Sequence, residues 1–387
     1  MRGNEGIALN KIYFDNAATT AVCPEAAAAA LLAMTEIYGN PSSTHTLGRE
    51  AKTLLDTSRA SVADALGCLP EELVFTSCGS ESDNWALRGA AQAQKRVGKH
   101  IISSMAEHDA IRKTLDALEQ EGWEITRLAP DKRGAIPAED VEAALREDTA
   151  LISLMMVNNE TGGVTDIGAI SAMLKRHHSA ALLHTDAVQG FLKVPFSAKT
   201  LGADLISISG HKIHAPKGIG ALYVRKGLRL PSFIMGGAQE NGRRAGTESM
   251  PLISAFGVAA KLGKEKMADS TAKMQELRTY LMQELTAKIP GLLVIDGGAP
   301  HILSISLPGY KSEVLMNYLE RQNIFVSRSS ACKKGKRSHV LEAMKVRDDQ
   351  IDGTLRIGLS RYSTMQEAET FVSALAEAAG SLFTVLR

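Results

Sequence analysis

The chain has 387 residues, 44% of them hydrophobic and 22% charged, the composition of an ordinary globular protein long enough for two domains. Its 44 basic and 43 acidic residues leave a net charge of +1, which gives no sign of a nucleic-acid or membrane partner. Any bound anion is therefore expected to be held by a local site.

The N-terminal residues include Arg2, Glu5 and Lys11 and lack the form of a signal peptide. The longest apolar run, Ala26–Met34, is far short of the ~20 residues that cross a bilayer. A cytoplasmic, reducing location is the expectation. None of Cys23, Cys68, Cys78 and Cys332 pair at CxxC spacing, which argues against a zinc site or a redox pair; no metal is expected, and Cys68 reads as core.

Along the chain, short aliphatic runs alternate with helical patterns. Strands are predicted at Leu73–Thr76, His100–Ser103, Ile125–Leu128, Leu151–Val157, Ala181–Thr185, Asp204–Ser209 and Ala221–Val224. Helices are predicted near Glu81–Lys95, Ala110–Glu121, Ala138–Leu145 and Ile167–His177. This alternation predicts an α/β fold with a mainly parallel sheet covered on both faces. A long helical stretch, Pro251–Lys288, follows. The remainder, with strands at His301–Ser306, Ile324–Val326 and Leu355–Leu359 and helices near Ser312–Gln322 and Met365–Leu382, has the α+β character of a smaller domain.

Ligands of open α/β sheets sit beyond the carboxyl ends of the strands, so polar residues just after predicted strands are the candidates. Phe75–Ser82 leaves a strand, turns at Gly79 beside Ser80 and opens a helix, which makes either an anion cradle or an ordinary helix cap. In His184–Gln189, Asp186 follows an apolar run; a carboxylate there needs a cationic or hydrogen-bonded partner, or it caps a helix. Ile206–Gly220 sets Lys212 among hydroxyls, histidines and glycines, a setting for a lysine nucleophile or a solvated loop. Ser209 and His211 add donors for a phosphate. Gly236–Thr247, with paired arginines, reads as a phosphate loop or a surface turn. Ser327–Cys332, followed by Lys333, Lys334 and Lys336, presents a thiol that nearby cations would push toward thiolate, unless it is an inert loop cysteine.

Taken together and in order, these segments resemble the class V aminotransferase family of fold-type I pyridoxal-5′-phosphate (PLP) enzymes, and within it the cysteine desulfurases. The resemblance also runs through Tyr13–Thr20, Gly39–His45, Glu107–Ala110, Asn158–Gly162, Arg244–Thr247 and Leu355-Arg356. It implies a large PLP-binding domain over 15–260 and a small domain formed by 1–14 and 261–387. It further implies that Lys212 carries the cofactor as a Schiff base, Asp186 faces its ring nitrogen, Gln189 its ring hydroxyl, and His108 stacks on the ring. Gly79, Ser80, Ser209 and His211 would hold the phosphate, with Thr247 arriving from the second subunit of a homodimer. Asn159 and Arg356 would orient L-cysteine, and Cys332 would take its sulfur as a persulfide for an acceptor protein serving iron–sulfur cluster assembly or tRNA thiolation. Within the family the competing activities are selenocysteine lysis and transamination of a small amino acid; outside it, a non-catalytic sulfur-relay scaffold. Three departures from the family pattern stand out: Cys78 in the phosphate turn, Ala215 before Pro216, and the basic run after Cys332.

Overall fold

The structure, a computed structural model, describes residues 11–328 and 337–382. In chain order its strands are β1 (Ile12–Tyr13), β2 (Leu73–Thr76), β3 (His100–Ser104), β4 (Glu124–Leu128), β5 (Thr149–Met155) and β6 (Leu182–Asp186). They continue with β7 (Leu205–Ser209), β8 (Gly220–Val224), β9 (Leu293–Ile295), β10 (Ile302–Ser306), β11 (Ile324–Phe325) and β12 (Thr354–Gly358). Every residue of β5, β6 and β7 is buried, as expected of central strands covered on both faces.

Seven strands form one sheet in the order β2-β8-β7-β6-β5-β3-β4. The neighbours from β7 to β4 are parallel, whereas β8 runs antiparallel to both β7 and β2. The reversed β8 leaves β2 pointing the same way as β7. The carboxyl ends of β2, β3, β5, β6 and β7 therefore open on one edge, and the segments that follow them converge there.

A second sheet, β12-β10-β9, is antiparallel throughout, and β1 pairs in parallel with β11 beside it. Its apolar cluster joins Ile12 and Phe14 to residues from Met274 to Ala378, separate from the clusters around the large sheet. Helix Thr46–Leu66 was not apparent in the sequence pattern, because Gly48, Ala51, Ser58 and Ala63 supply much of its buried face. The stretch predicted as one helix over Pro251–Lys288 is two, Met250–Glu265 and Met267–Lys288. The break has a physical cause. Met250, Ile253 and Phe256 pack into the large-sheet core, while Met274, Leu277 and Leu281 pack into the other.

Candidate active site

A cavity of about 700 Å³ lies at the shared strand edge, lined among others by Gly79, His108, Asn159, Asp186, Lys212 and Arg356. Lys212 ends the single turn Gly210–Lys212 that follows β7, and its Nζ donates to the carbonyls of Ala17 at 2.6 Å and Ala18 at 2.7 Å. Asp186, the last residue of β6, is buried and its Oδ1 accepts from the Val188 amide at 2.9 Å. Gln189 Nε2 donates to Ala17 O at 2.8 Å, while its Oε1 is buried without a partner among the described residues. His108 caps helix Asp109–Gln120, its Nδ1 accepting from the Ala110 amide at 3.2 Å, and its ring lines the cavity.

The turn after β2 brings Gly79 and Ser80 to the same wall, at the N-terminus of helix Gly79–Gln94. Glycine is required by close approach: a Cβ at position 79 would stand 2.8 Å from Val188 Cγ2. Cys78 fits the turn without strain, because its φ of −174° is extended backbone open to any residue. Ser209 Oγ is buried in the same wall and has no partner among the described residues. His211 bonds Thr19 Oγ1 at 3.2 Å, and burial, reinforced by Lys212, lowers its pKa to about 4. A neutral imidazole, free helix amides and a spare hydroxyl make a donor-rich anion cradle.

Arg356 in β12 is buried, with Nη1 donating to Asn159 O at 2.8 Å and Nη2 to Ser327 Oγ at 2.9 Å and Asp15 Oδ1 at 3.1 Å. Its Nε has no partner among the described residues. Thr247 is exposed and does not line the cavity of its own chain. Cys332 lies outside the described residues. Arg244, in the glycine-rich segment, is engaged by Glu81 at 2.8 Å, so that segment braces the helix start instead of presenting its arginines to a phosphate. Cys68 is half-buried against the large-sheet core, and burial lifts its thiol to about 12.

Several functional-looking groups were not singled out from the sequence. Asp83, buried on the helix that begins at Gly79, lines the cavity. Burial, then the negative charge of Asp186, raises its pKa. Glu107 is buried and pushed up to about 8 by burial, although its Oε1 accepts from Ser104 Oγ at 2.6 Å and Met155 N at 3.1 Å. Burial also raises Asp186, against the opposing pull of His108 and Lys212. Glu160 is raised to about 7 by burial and accepts from Ser338 Oγ. Glu107 and Glu160 sit inside motifs whose neighbours drew attention, and that adjacency was the available signal. Lys193, buried behind Lys212, was hidden in the apolar run Phe191–Phe196.

The cavity fits a phosphorylated aldehyde cofactor on observations of the chain itself. A glycine with no room for a Cβ stands at the anion cradle beside Ser209 Oγ, which has no partner among the described residues; Gln189, whose Oε1 likewise has none, lines the same cavity, which the buried Asp186 shares with Lys212.

Comparison with known proteins bears on the family. Residues 12–371 match the family described as Aminotransferase class-V. A cysteine desulfurase of Nostoc is 41% identical over 374 residues, covering 95% of this chain and 93% of that protein. A cysteine desulfurase IscS of Methanosarcina thermophila is 39% identical over 371 residues, covering 95% of this chain and 91% of that one. A solved NifS-like protein superposes with a TM-score of 0.91 at 35% identity, over 96% of this chain and 100% of the other.

Proposed function

The chain belongs to the aminotransferase class-V family and is a PLP-dependent cysteine desulfurase, and from that premise we propose how its own residues divide the work. The observation that carries the assignment is the convergence of Lys212, Asp186 and the donor cradle on one cavity. When bound, the cofactor supplies an electron sink for the carbanion formed at the substrate Cα.

Lys212 is the residue that would carry the cofactor, and its amine would be the base that takes the substrate's Cα proton. Its contacts with the carbonyls of Ala17 and Ala18 support this, because they hold the amine at a fixed point over the cavity. Asp186 would pair with the cofactor's ring nitrogen, Gln189 would bond its ring hydroxyl, and His108 would stack on its ring. Gly79, Ser80, Ser209 and His211 would hold its phosphate. Arg356, with Asn159, takes the substrate carboxylate, and Asp15 and Ser327 fix the guanidinium for it. Cys332 thiolate attacks the substrate sulfur; the C–S bonding pair stays with the three-carbon fragment, which takes up protons and leaves as L-alanine. The persulfide on Cys332 then passes to an acceptor protein of the iron–sulfur or tRNA-thiolation type. A dedicated thiol favours this reading over transamination.

The division into residues 15–260 against 1–14 and 261–387 is supported by the separate apolar cluster containing Phe14. A homodimer, with Thr247 entering the partner's cavity, is supported by the exposed apolar side chains Leu31, Leu32, Met34, Tyr38 and Met235. No helix among the described residues is long and apolar enough to cross a membrane, and a cytoplasmic location accords with that. The test is to supply L-cysteine and quantify alanine and sulfide. Wild type is expected to produce both, and Cys332→Ser to retain cofactor binding but lose alanine production. Unchanged alanine from that variant would refute the role of Cys332.

A further inference from the structure

Lys212 also lines a second, smaller cavity of about 30 Å³. Its walls come from both apolar clusters: Leu192 and Ile213 belong to the first, Met274 and Leu359 to the second. The polar lining includes Lys193, His214, Ser270, Ser360 and Arg361 and contains no carboxylate.

The ammonium of Lys193 has a residue exposure of only 7%, and its Nζ meets no protein acceptor among the described residues. Arg361 Nε is buried without a partner among the described residues, while the rest of its half-buried side chain lies over the Tyr362 ring, 5.1 Å from its centroid. Next to Lys193, His301 is fully buried, and neither ring nitrogen is bonded among the described residues. The charges that act on Lys193 and His301 are themselves cations: Lys212 on the first, Lys193 and Lys212 on the second. Burying a cationic donor without an acceptor or a counter-charge is strongly unfavourable. Arginine cannot relieve that cost by losing its proton.

From this we infer that the cavity between the two clusters is a binding site for one small monoanion of the halide class, held by Lys193 and Arg361. Size favours the class, since about 30 Å³ is room for a water-sized particle, which a halide matches. Charge selects the sign, as every ionic group on the wall is a donor. The anion ties segments from before and after residue 260 together behind the lysine that works in the main cavity. It screens Lys212 from Lys193 without touching the substrate.

Bromide is the probe. Crystals of the cofactor-loaded enzyme grown in bromide are expected to show an anomalous peak within hydrogen-bonding reach of Lys193 Nζ. In solution the unfolding midpoint rises with chloride or bromide beyond the rise given by gluconate at equal ionic strength. Lys193→Met abolishes the peak, and Arg361→Gln raises the halide concentration for half-maximal stabilisation roughly tenfold. Visible cofactor absorbance checks that each variant is folded. Should the methionine variant not fold, the wild-type bromide map still decides. Ordered water in place of bromide overturns the proposal, as does a halide effect that survives in Lys193→Met. A peak with no accompanying shift of the midpoint marks binding at crystal concentration only, and counts against it equally.

Discussion

The two sides of the active-site lysine bury charge in opposite ways. On one side Asp186, Asp83 and Glu107 form an acidic group in which burial raises each carboxyl. On the other, Lys193 and His301 form a basic group in which burial lowers each pKa and neighbouring lysines lower it further. Backbone and hydroxyl donors reach two of the acids, through Val188 N for Asp186 and Ser104 Oγ with Met155 N for Glu107, although Asp83 Oδ1 and Glu107 Oε2 are buried without a partner among the described residues. Among the same residues, Lys193 Nζ and both ring nitrogens of His301 have no partner. The acidic side is thus organised to hold one negative charge within a network, whereas the basic side calls for a charge from outside the protein.

Lys212 stands between the two sides, and its loss is expected to have the largest effect. Lys212→Ala should eliminate alanine formation, and borohydride should no longer fix the cofactor to the chain. Next comes the acidic side. Asp186→Asn keeps an acceptor for Val188 N but removes the charge, so turnover should fall roughly 100-fold or more while the folded structure persists. A fall of less than tenfold would show that the acidic side does not set the ring nitrogen's charge.

Glu107 tests whether the acidic side is neutral at rest. With its folded pKa near 8 and an unfolded value near 4.5, Glu107 contributes stability that is complete at low pH. That contribution is lost as pH rises from about 4.5 to about 8. Glu107→Gln, which mimics the protonated acid, should flatten this decline in thermal-melt profiles. Glu107→Ala should instead cost roughly 1–3 kcal/mol through the unmet donors of Ser104 and Met155. The basic side has the opposite sign. Lys193 falls to about 7 in the folded state from an ordinary 10.5, so its stabilisation is present at high pH and lost as pH falls toward 7. In halide-free buffer Lys193→Met should therefore gain midpoint over wild type across that interval and level off below it. A constant difference between the two proteins would show that Lys193 stays charged without help.

The α/β architecture and the convergence of residues on one edge were legible because strand-end polar residues break an otherwise apolar pattern. Asp186 and Lys212 announce themselves this way. Asp83 does not, because a single acid in a helix of mixed composition looks like a solvated face until the sheet is placed against it. Lys193 is obscured for the reverse reason: one lysine between Leu192 and Val194 reads as a surface break in a strand or turn, and only the packing of both apolar clusters around it buries it. The helix break at Lys266 was equally invisible, since periodicity reports that a face is apolar and not which core receives it.

The smallest predicted effect lies at the rim of the acidic side. Glu81 begins the helix that supplies the anion cradle, and its carboxylate accepts from Ser77 N at 2.7 Å and from Arg244 Nε at 2.8 Å. The side chains of the pair are 10% and 21% exposed, so solvent screens it only in part, and it joins the phosphate turn to the glycine-rich segment that carries Thr247. Removing the guanidinium leaves Glu81 its backbone donor and the helix its negative first turn, so the fold should tolerate the change at a cost of about 1 kcal/mol. The turn loses its external brace, and Gly79 and Ser80 are then held less firmly at the spacing a phosphate requires. Arg244→Gln should therefore weaken cofactor affinity about threefold to tenfold, measured by fluorescence titration of the cofactor-free protein, with the rate of the saturated enzyme nearly unchanged. A drop in that saturated rate with affinity intact would instead mean that the arginine acts on the acidic side itself, through the helix that also carries Asp83.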